Sequence, residues 1–359
     1  MEYNSNKQII MLQGMGHNDR TWAKNLSLYC KVILIQQPLI THVEIWDNGV
    51  CIYNGSDIKN PYIIHTIDDI LFGFITVCKY IYLICKYSKC KKSSLIIAIN
   101  YCGGIASLFL KMIGMTNKVV VFVTDYLPPT GSFIIKTHRY ITTKLTRFVC
   151  KFADEVWKVS PRIILPKSND FVVPLHIDNT DIPITTRNEI CYMGSISMEH
   201  GLDILFKICK KHNFKLNIIG DSPNLQSIKH LAPTNTIFHG MLNDSDKINS
   251  IVSRCFCGYA IYTNIDSTTS CYYGFPSKTL YYLSNNTPIL TSKCTYFSNV
   301  IKAYNIGNVV APNFSDIEYG ILNLEKNSSI FNNNINIFKE IWTVGVDEFN
   351  REHLTKLLT

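Results

Sequence analysis

The run Lys118-Val-Val-Val-Phe-Val-Thr-Asp125 constrains the fold more than any other stretch of this chain. Its apolar residues are consecutive, so a strand built from them has no face left for water and must be covered on both sides. Valine enrichment over so short a length favours a strand over a buried helix. Strands covered on both faces belong to parallel sheets, and parallel strands need long crossover connections, usually helices. Such connections surround this run. Residues 94–100 read as a strand, 103–114 as a helix, and 118–125 as the next strand. Nearer the start, a strand at 8–13 leads through Gly14-Met-Gly16-His17 to a helix at 21–29 and a strand at 32–36. That glycine turn lacks the third glycine of a dinucleotide fingerprint and the acidic residue about 20 positions on, so a simple tight turn explains it equally well.

The second half repeats the alternation. Strand 189–194 leads to helix 201–212, where Leu202, Leu205, Ile208 and Cys209 fall at helical spacing. Strands at 216–219, 236–238, 258–262 and 307–310 are separated by helices at 244–254 and 296–304 and by the stretch 272–292. The expectation is an α/β chain of two doubly wound, Rossmann-like domains facing across a cleft. Residues 1–175 form the first, polar residues 176–188 a linker, and 189–340 the second. Residues 341–359 form a closing helical segment packed back on the first domain. The length of 359 residues suits two such cores.

With 47% hydrophobic and 17% charged residues the chain reads as globular. Its 13 cysteines are odd in number and mostly embedded in apolar runs, and no leader-like segment precedes them, which reads as reduced thiols in the cytoplasm. Cys255-Phe-Cys257 lies in a strand-like run without histidine partners, so a metal there is not expected. The apolar stretch 70–85 is interrupted by Lys79 and is too short to span a bilayer comfortably. Charge is unequally shared: residues 1–175 carry 20 Lys+Arg against 11 Asp+Glu, whereas 176–359 carry 15 against 16. Within the basic half, residues 78–92 hold five lysines and no acid among Tyr80, Tyr82 and Tyr87. Residues 134–167 hold eight Lys+Arg against Asp154 and Glu155. Lysines interleaved with aromatics suit an anionic membrane surface, so the expectation is peripheral attachment at the inner face of the membrane. No nucleic-acid recognition motif accompanies the charge, and nucleic acid is not expected as a partner.

In a parallel sheet all strand exits lie on one edge, so Gly194-Ser195, Gly220-Asp221, His239-Gly240 and Tyr273-Gly274 are expected to converge. Beyond the last of them, Gly274-Phe275-Pro276-Ser277-Lys278 reads as a turn followed by a helix start, with Pro276 in the first turn. A helix start together with the lysine suits an anion such as a phosphate or diphosphate. Asp244-Ser-Asp246 is read as a helix cap rather than a metal motif.

The stretches YMGSISMEHGLDILFKI, LNIIGDSP, IFHGML, INSIVSRCFCGYAIY and GFPSKTLYYLSNNTPILTS resemble the donor-binding half of GT-B glycosyltransferases, in particular the retaining family numbered four. Residues 189–310 carry the resemblance, and ADEVWKVSPRI with FVVPLHID extends it upstream. The chain departs from the family at two places. Ser195 and His200 stand where the family has Arg and Lys for the donor diphosphate, and Tyr273 and Tyr281 stand where it often has two glutamates. Lys278, in a Pro-x-Lys arrangement, is closest to a subgroup in which such a lysine is the cation.

The resemblance implies a hexosyltransferase that moves sugar from a UDP- or GDP-sugar to a glycan or lipid-linked acceptor in surface polysaccharide synthesis. It implies retention, and neither metal nor cofactor. By position, Gly240 and Met241 would present backbone to the base, and Tyr281 would face the ribose. Ser277 and Lys278 would hold the diphosphate, helped by Gly16, Ser195, Gly274, Phe275 and Pro276. Tyr273 would line the sugar pocket, with Tyr272 and Tyr282 in the core. Asp125 is the carboxylate expected to meet the acceptor hydroxyl, with His17 and Glu199 as further catalytic candidates. Two other readings stay open: a catalytically degenerate scaffold subunit, and a nucleotide-sugar epimerase.

Overall fold

The computed structural model describes residues 4–13, 18–36, 40–59, 69–89, 91–124, 126, 128–165, 170–178, 180, 187–242, 244–263, 270–293 and 295–358. Gly16, His17 and Asp125 lie outside the described residues, as do 179 and 181–186 of the expected linker. The chain divides into two compact units. One comprises Met1–His176, Thr268–Tyr273 and Gly345–Thr359, the other Ile177–Ser267 and Gly274–Val344.

The first unit runs β1 (Gln8–Gln13), α1 (Asn18–Leu26), β2 (Lys31–Gln36), β3 (Ile40–Asp47), β4 (Val50–Lys59), α2 (Asp69–Tyr87), β5 (Ser93–Ile99), α3 (Asn100–Met112), β6 (Thr116–Val123), α4 (Phe133–Phe152), β7 (Glu155–Lys158) and β8 (Asp170–Val172). The strands form one sheet in the order β4-β3-β2-β1-β5-β6-β7-β8. As the valine run requires, Val119 to Val123 are buried, and β6 pairs in parallel with β5 and β7. One edge departs from the expected alternation, because β3 is antiparallel to both β2 and β4. The β3–β4 turn places Asn48 at φ 46° and Gly49 at φ 78°. Two successive positive φ values are the requirement of a type I′ hairpin, and Asn-Gly is its usual sequence signal.

The second unit runs β9 (Glu189–Met193), a 3-10 turn at Met198–His200, α5 (Leu202–His212), β10 (Lys215–Ile219), α6 (Leu225–Leu231), β11 (Thr236–Gly240), α7 (Ser245–Val252) and β12 (Cys255–Ala260). A short helix, α8 (Ser270–Tyr273), follows; it belongs to the first unit. Then come α9 (Lys278–Ser284), β13 (Ile289–Ser292), α10 (Ser298–Tyr304), β14 (Gly307–Val310), α11 (Phe314–Lys326) and α12 (Ser328–Leu358). The closing helix therefore starts at Ser328 and is continuous across position 341. Its residues from Gly345 onward group with the first unit, where His353 Nδ1 lies 2.8 Å from Oε2 of the buried Glu155 on β7.

The second sheet is parallel throughout, in the order β11-β10-β9-β12-β13-β14. The chain winds outward from β9 in one direction through β10 and β11, then in the other through β12, β13 and β14. Its core is carried by Ile190, Tyr192, Leu205, Ile218, Phe256 and Tyr259, among others. The buried Cys255 and Cys257 belong to β12, and burial pushes both thiols well above their usual range.

A single ring fixes α9 on this sheet. Tyr282 is fully buried, and its hydroxyl donates to the carbonyls of Tyr259 on β12 (3.2 Å) and Cys191 on β9 (3.3 Å). The ring occupies the space a side chain at Gly258 would need, since a Cβ there would come within 2.4 Å of two ring carbons. Gly258→Ala must therefore move the ring and α9 with it. The expected cost is about 1–3 kcal/mol of stability, as for other overpacked cores, measured as a lower urea midpoint with an unchanged slope.

Candidate functional site

In a doubly wound sheet the ligand crevice opens beyond the carboxyl ends of the strands, where the strand order reverses. Here that point lies between β9 and β12. Backbone crowds the exits on the β9–β10 side. Gly194 N donates to Ile219 O, and Gly220 N to Gly240 O, each at 2.9 Å. Gly220 has φ 143°, and a Cβ on it would stand 1.9 Å from the carbonyl oxygen of Gly194. No side chain fits at that crossing, so the rim of the crevice is made of main chain.

Lys278, the first residue of α9, reaches this point from the other side of the chain's path. It is only 9% exposed. Its Nζ lies 4.6 Å from the ring centroid of Tyr192 near the end of β9 and 5.2 Å from that of Tyr262 beyond β12. A Cβ at Gly194 would be 3.6 Å from the same Nζ. Two ring faces attract an ammonium, so a cationic side chain is held where the strand order reverses.

His200, at the end of the 3-10 turn, joins the same two rings. Its Nδ1 is 2.5 Å from the Tyr192 hydroxyl and 3.0 Å from the Ser195 carbonyl oxygen, and its ring meets that of Tyr262 edge-on with centroids 5.2 Å apart. The Tyr192 hydroxyl also donates to the Ser195 carbonyl. Burial and then the charge of Lys278 lower the His200 pKa below its usual 6.5, against smaller opposing effects of the Ser195 carbonyl and Glu199. The imidazole is thus neutral near pH 7.

The other expected site residues fall as follows. Ser195 is exposed and contributes its carbonyl to His200 and Tyr192. Glu199 is exposed too; its carbonyl accepts from Thr263 N (3.0 Å) and Thr263 Oγ1 (2.7 Å), tying the 3-10 turn to the chain leaving β12. Gly240 ends β11, and Met241 beyond it is 70% exposed. Phe275 packs on the buried Phe297, with centroids 4.6 Å apart. The buried Pro276 accepts at its carbonyl from Thr279 N (2.9 Å) and Thr279 Oγ1 (2.6 Å). Ser277 is exposed and already helical in its backbone. Half-buried Tyr281 lies three residues beyond Lys278. Asp244 caps α7, its Oδ1 accepting from Asp246 N (3.0 Å) and Lys247 N (3.3 Å).

Tyr273 and Gly274 do not mark a strand exit. Tyr273 ends α8, and the two residues fall in different units. Within the first unit Tyr273 packs on Tyr126 at 4.7 Å. Nor is Tyr272 a core residue: half-buried, it carries the Arg162 guanidinium 4.2 Å from its ring centroid and accepts from Arg162 Nη1 at 3.0 Å through its carbonyl. The glycine between β12 and α9 suggested an exit, but the strand ends earlier, at Ala260. Sequence reading did not find Tyr192 and Tyr262, because at helix or strand spacing a buried tyrosine looks like any other core residue.

Of the two basic stretches, 78–92 keeps Tyr82, Lys86, Lys89, Lys91 and Lys92 exposed, and the other is carried by α4. Five of its residues, Lys136, Arg139, Lys144, Arg147 and Lys151, are cationic, and none is acidic. Of its large apolar residues Phe133 (84%), Ile134, Ile135, Tyr140, Phe148 and Phe152 are exposed. Elsewhere in the expected patches, Tyr80 is buried in the core and Lys158 is buried in an ion pair with Asp170 at 2.6 Å, so neither offers a surface contact. Among the described residues no helix is long and apolar enough to cross a membrane.

Residues 178–337 match the family described as glycosyl transferases group 1. None of the curated proteins matches the chain in sequence. Among solved structures, the chain resembles the apo form of the lipopolysaccharide outer core galactosyltransferase WaaB at TM-score 0.59 and 14% identity, over 97% of this chain and 99% of that one. It resembles HepE of Anabaena, solved with UDP, at TM-score 0.64 and 12% identity, over 97% and 100%. A UDP-N-acetylglucosamine 2-epimerase assigned in Listeria monocytogenes is similar at TM-score 0.55 and 10% identity, over 91% and 90%. The fold is that of the GT-B glycosyltransferases, with two α/β units built on largely parallel sheets.

The electrostatics of the crevice can be checked directly. Lys278→Met removes a cation while keeping bulk, so the His200 pKa, followed by its imidazole proton shifts, should rise towards 6.5 without reaching it, because burial persists. An unchanged titration would separate the two residues.

Proposed function

We propose that the chain is a glycosyltransferase taking its sugar from a nucleotide diphosphate donor bound at the β9–β12 crevice. The observation that carries the reading is Lys278, buried against two tyrosine rings where the strand order reverses, inside the stretch that matches the group 1 glycosyl transferases. Departure of a nucleoside diphosphate leaves negative charge on its terminal phosphate. A preorganised, buried cation lowers the energy of that charge as it develops. Lys278 takes this role, and the main-chain rim at Gly194 and Gly220 lets phosphate oxygens come close without a side chain in the way.

Gly240 and Met241 border the base, and Tyr281 meets the ribose. A phenol makes a single neutral hydrogen bond there, so the site depends more on phosphate than on ribose. The donor is a UDP- or GDP-hexose, in keeping with the UDP bound to the similar HepE, and transfer occurs with retention and without a resident metal. A glycan or lipid-linked acceptor in surface polysaccharide synthesis fits the likeness to a lipopolysaccharide galactosyltransferase. The epimerase reading keeps the same donor site and differs in its product. In the scaffold reading the site binds no nucleotide.

Calorimetry with UDP and GDP tests the site. One of them should bind, and Lys278→Ala should weaken it by about 1.5–3 kcal/mol, the range for hydrogen bonds to charged groups. Equal affinity in both proteins would remove Lys278 from the site, and no binding of either nucleotide would favour the scaffold. Release of free sugar, transfer to an acceptor or epimerised donor, read by chromatography, then separates the enzymes.

The acceptor side points to a membrane surface. An acid-free helix with exposed aromatic and aliphatic residues suits anionic lipid, at about 1 kcal/mol for each cation near the surface. In flotation assays the protein should rise with vesicles containing phosphatidylglycerol and not with phosphatidylcholine alone. Phe133→Ser with Lys136→Glu should reduce the floated fraction severalfold; equal flotation with both lipids would remove the idea.

A further inference from the structure

α5 and α6 follow β9 and β10 in turn, and right-handed crossovers lay both helices on one face of the second sheet. They differ in length, with eleven residues in α5 and seven in α6. Pro233 is the reason. The residue before a proline is driven out of the helical region, and Ala232 has φ −73° and ψ 145°. Four missing residues shorten α6 by about 6 Å relative to its neighbour. Where it stops, the flank of α5 opens as a cavity of about 510 Å³, walled by α5, the last turn of α6 and the turn into β11. Pockets that hold small molecules run from about 300 to 1,000 Å³. The far wall is fixed in advance: Asn235 Nδ2 donates to the Phe214 carbonyl at 2.6 Å, and Thr236 N to that of Pro233 at 3.0 Å.

Charge on these walls is unbalanced. Asp203, Lys207 and Lys210 stand at positions i, i+4 and i+7 of α5 and line one side, and His230 lines the cavity from α6. Lys211 and His212 of the same helix are held by Glu318, at 2.9 and 2.7 Å. By contrast, the side chains of Lys207, Lys210 and His230 make no ion pair or hydrogen bond among the described residues. One carboxylate cannot balance two ammonium groups. Next to them Leu231 is 65% exposed and forms an apolar wall with Ala232 and Pro233. Water can satisfy the lysines, but only an apolar group gains by covering Leu231.

We propose that this cavity is a second ligand site, for an organic phosphate monoester with an apolar body. The phosphate meets Lys207 and Lys210, with His230 as a further donor, and the body lies on Leu231, Ala232 and Pro233. Charge alone would draw inorganic phosphate and the wall alone an alcohol, whereas the ester gains from both. Tyr192, His200, Tyr262 and Lys278 do not line the cavity, so the site stands whether or not the β9–β12 crevice holds a nucleotide.

The test is calorimetric titration of the full chain at pH 7 with n-hexyl phosphate and phenyl phosphate, which put a chain and a ring on the same anion, and with inorganic phosphate and hexanol as partial probes. At least one ester should bind roughly tenfold more tightly than either partial probe, and the tighter of the two tells whether the body is aliphatic or aromatic. Lys207→Glu with Lys210→Glu should weaken that ester about tenfold or more, and Leu231→Ser about threefold, while Lys278→Ala should leave it unchanged. Amide shifts on binding should centre on 203–213 and 230–235. All three changed positions are exposed, so the melting temperatures of these variants should stay near that of the wild type. Failure of both esters to bind, or equal affinity in the charge-reversed protein and in Leu231→Ser, overturns the proposal. Loss of binding on Lys278→Ala overturns it too, because the ester would then sit in the crevice, and the reading of that crevice as an anion site would survive.

Discussion

The candidate site depends on how Tyr282 is held. Its hydroxyl joins carbonyls of β9 and β12, the two strands between which the sheet order reverses, and its ring lies where Gly258 leaves room. One helical turn earlier on the same helix stands Lys278. The hydrogen bonds of one buried phenol thus tie the helix that carries Lys278 to both strands, and they are directional where apolar contacts are not. Burial raises the Tyr282 pKa well above its usual value, which keeps the hydroxyl protonated as a donor.

From that anchor the electrostatics follow. A lysine at 9% exposure is costly unless its charge is compensated, and the rings of Tyr192 and Tyr262 supply part of that compensation. Burial and then the lysine charge hold the His200 pKa below its usual value. Tyr192 serves both residues: its face meets Lys278 and its hydroxyl meets His200 and Ser195. A substitution at Tyr192 would therefore change the lysine and the histidine together, which is why neither can be treated as an isolated charge.

Within the first unit a different constraint operates. β7 carries the buried carboxylate of Glu155, which Trp157 Nε1 (3.0 Å), His353 Nδ1 (2.8 Å) and Lys356 Nζ (3.3 Å) surround. The last turns of α12 are held to this unit by that carboxylate and by Phe349, which lies 5.3 Å from Trp157 and 4.2 Å from His353. The buried carboxylate is tolerated because Trp157 and His353 hydrogen-bond its Oε2 and the Lys356 ammonium pairs with its Oε1, offsetting lost hydration. α4 obeys the opposite rule, keeping large apolar side chains in solvent beside five cations.

The sequence by itself determined the layered α/β architecture, because continuous apolar strands such as 119–123 can be covered only between two helical layers. It also determined the cap at Asp244 and the placing of Lys278 at a helix start, both of which are local effects of backbone and side chain. The β3–β4 hairpin was legible in Asn48-Gly49 but was passed over in favour of the surrounding alternation. Tertiary structure alone decided the rest. That Tyr192, His200, Tyr262 and Lys278 meet depends on strand order, which brings β9 and β12 together although some 60 residues separate them. The fate of the tyrosines around α9 was settled in the same way. Tyr282 became an anchor and Tyr272 a platform for Arg162, because side chains of one chemistry are told apart only by the neighbours that folding gives them.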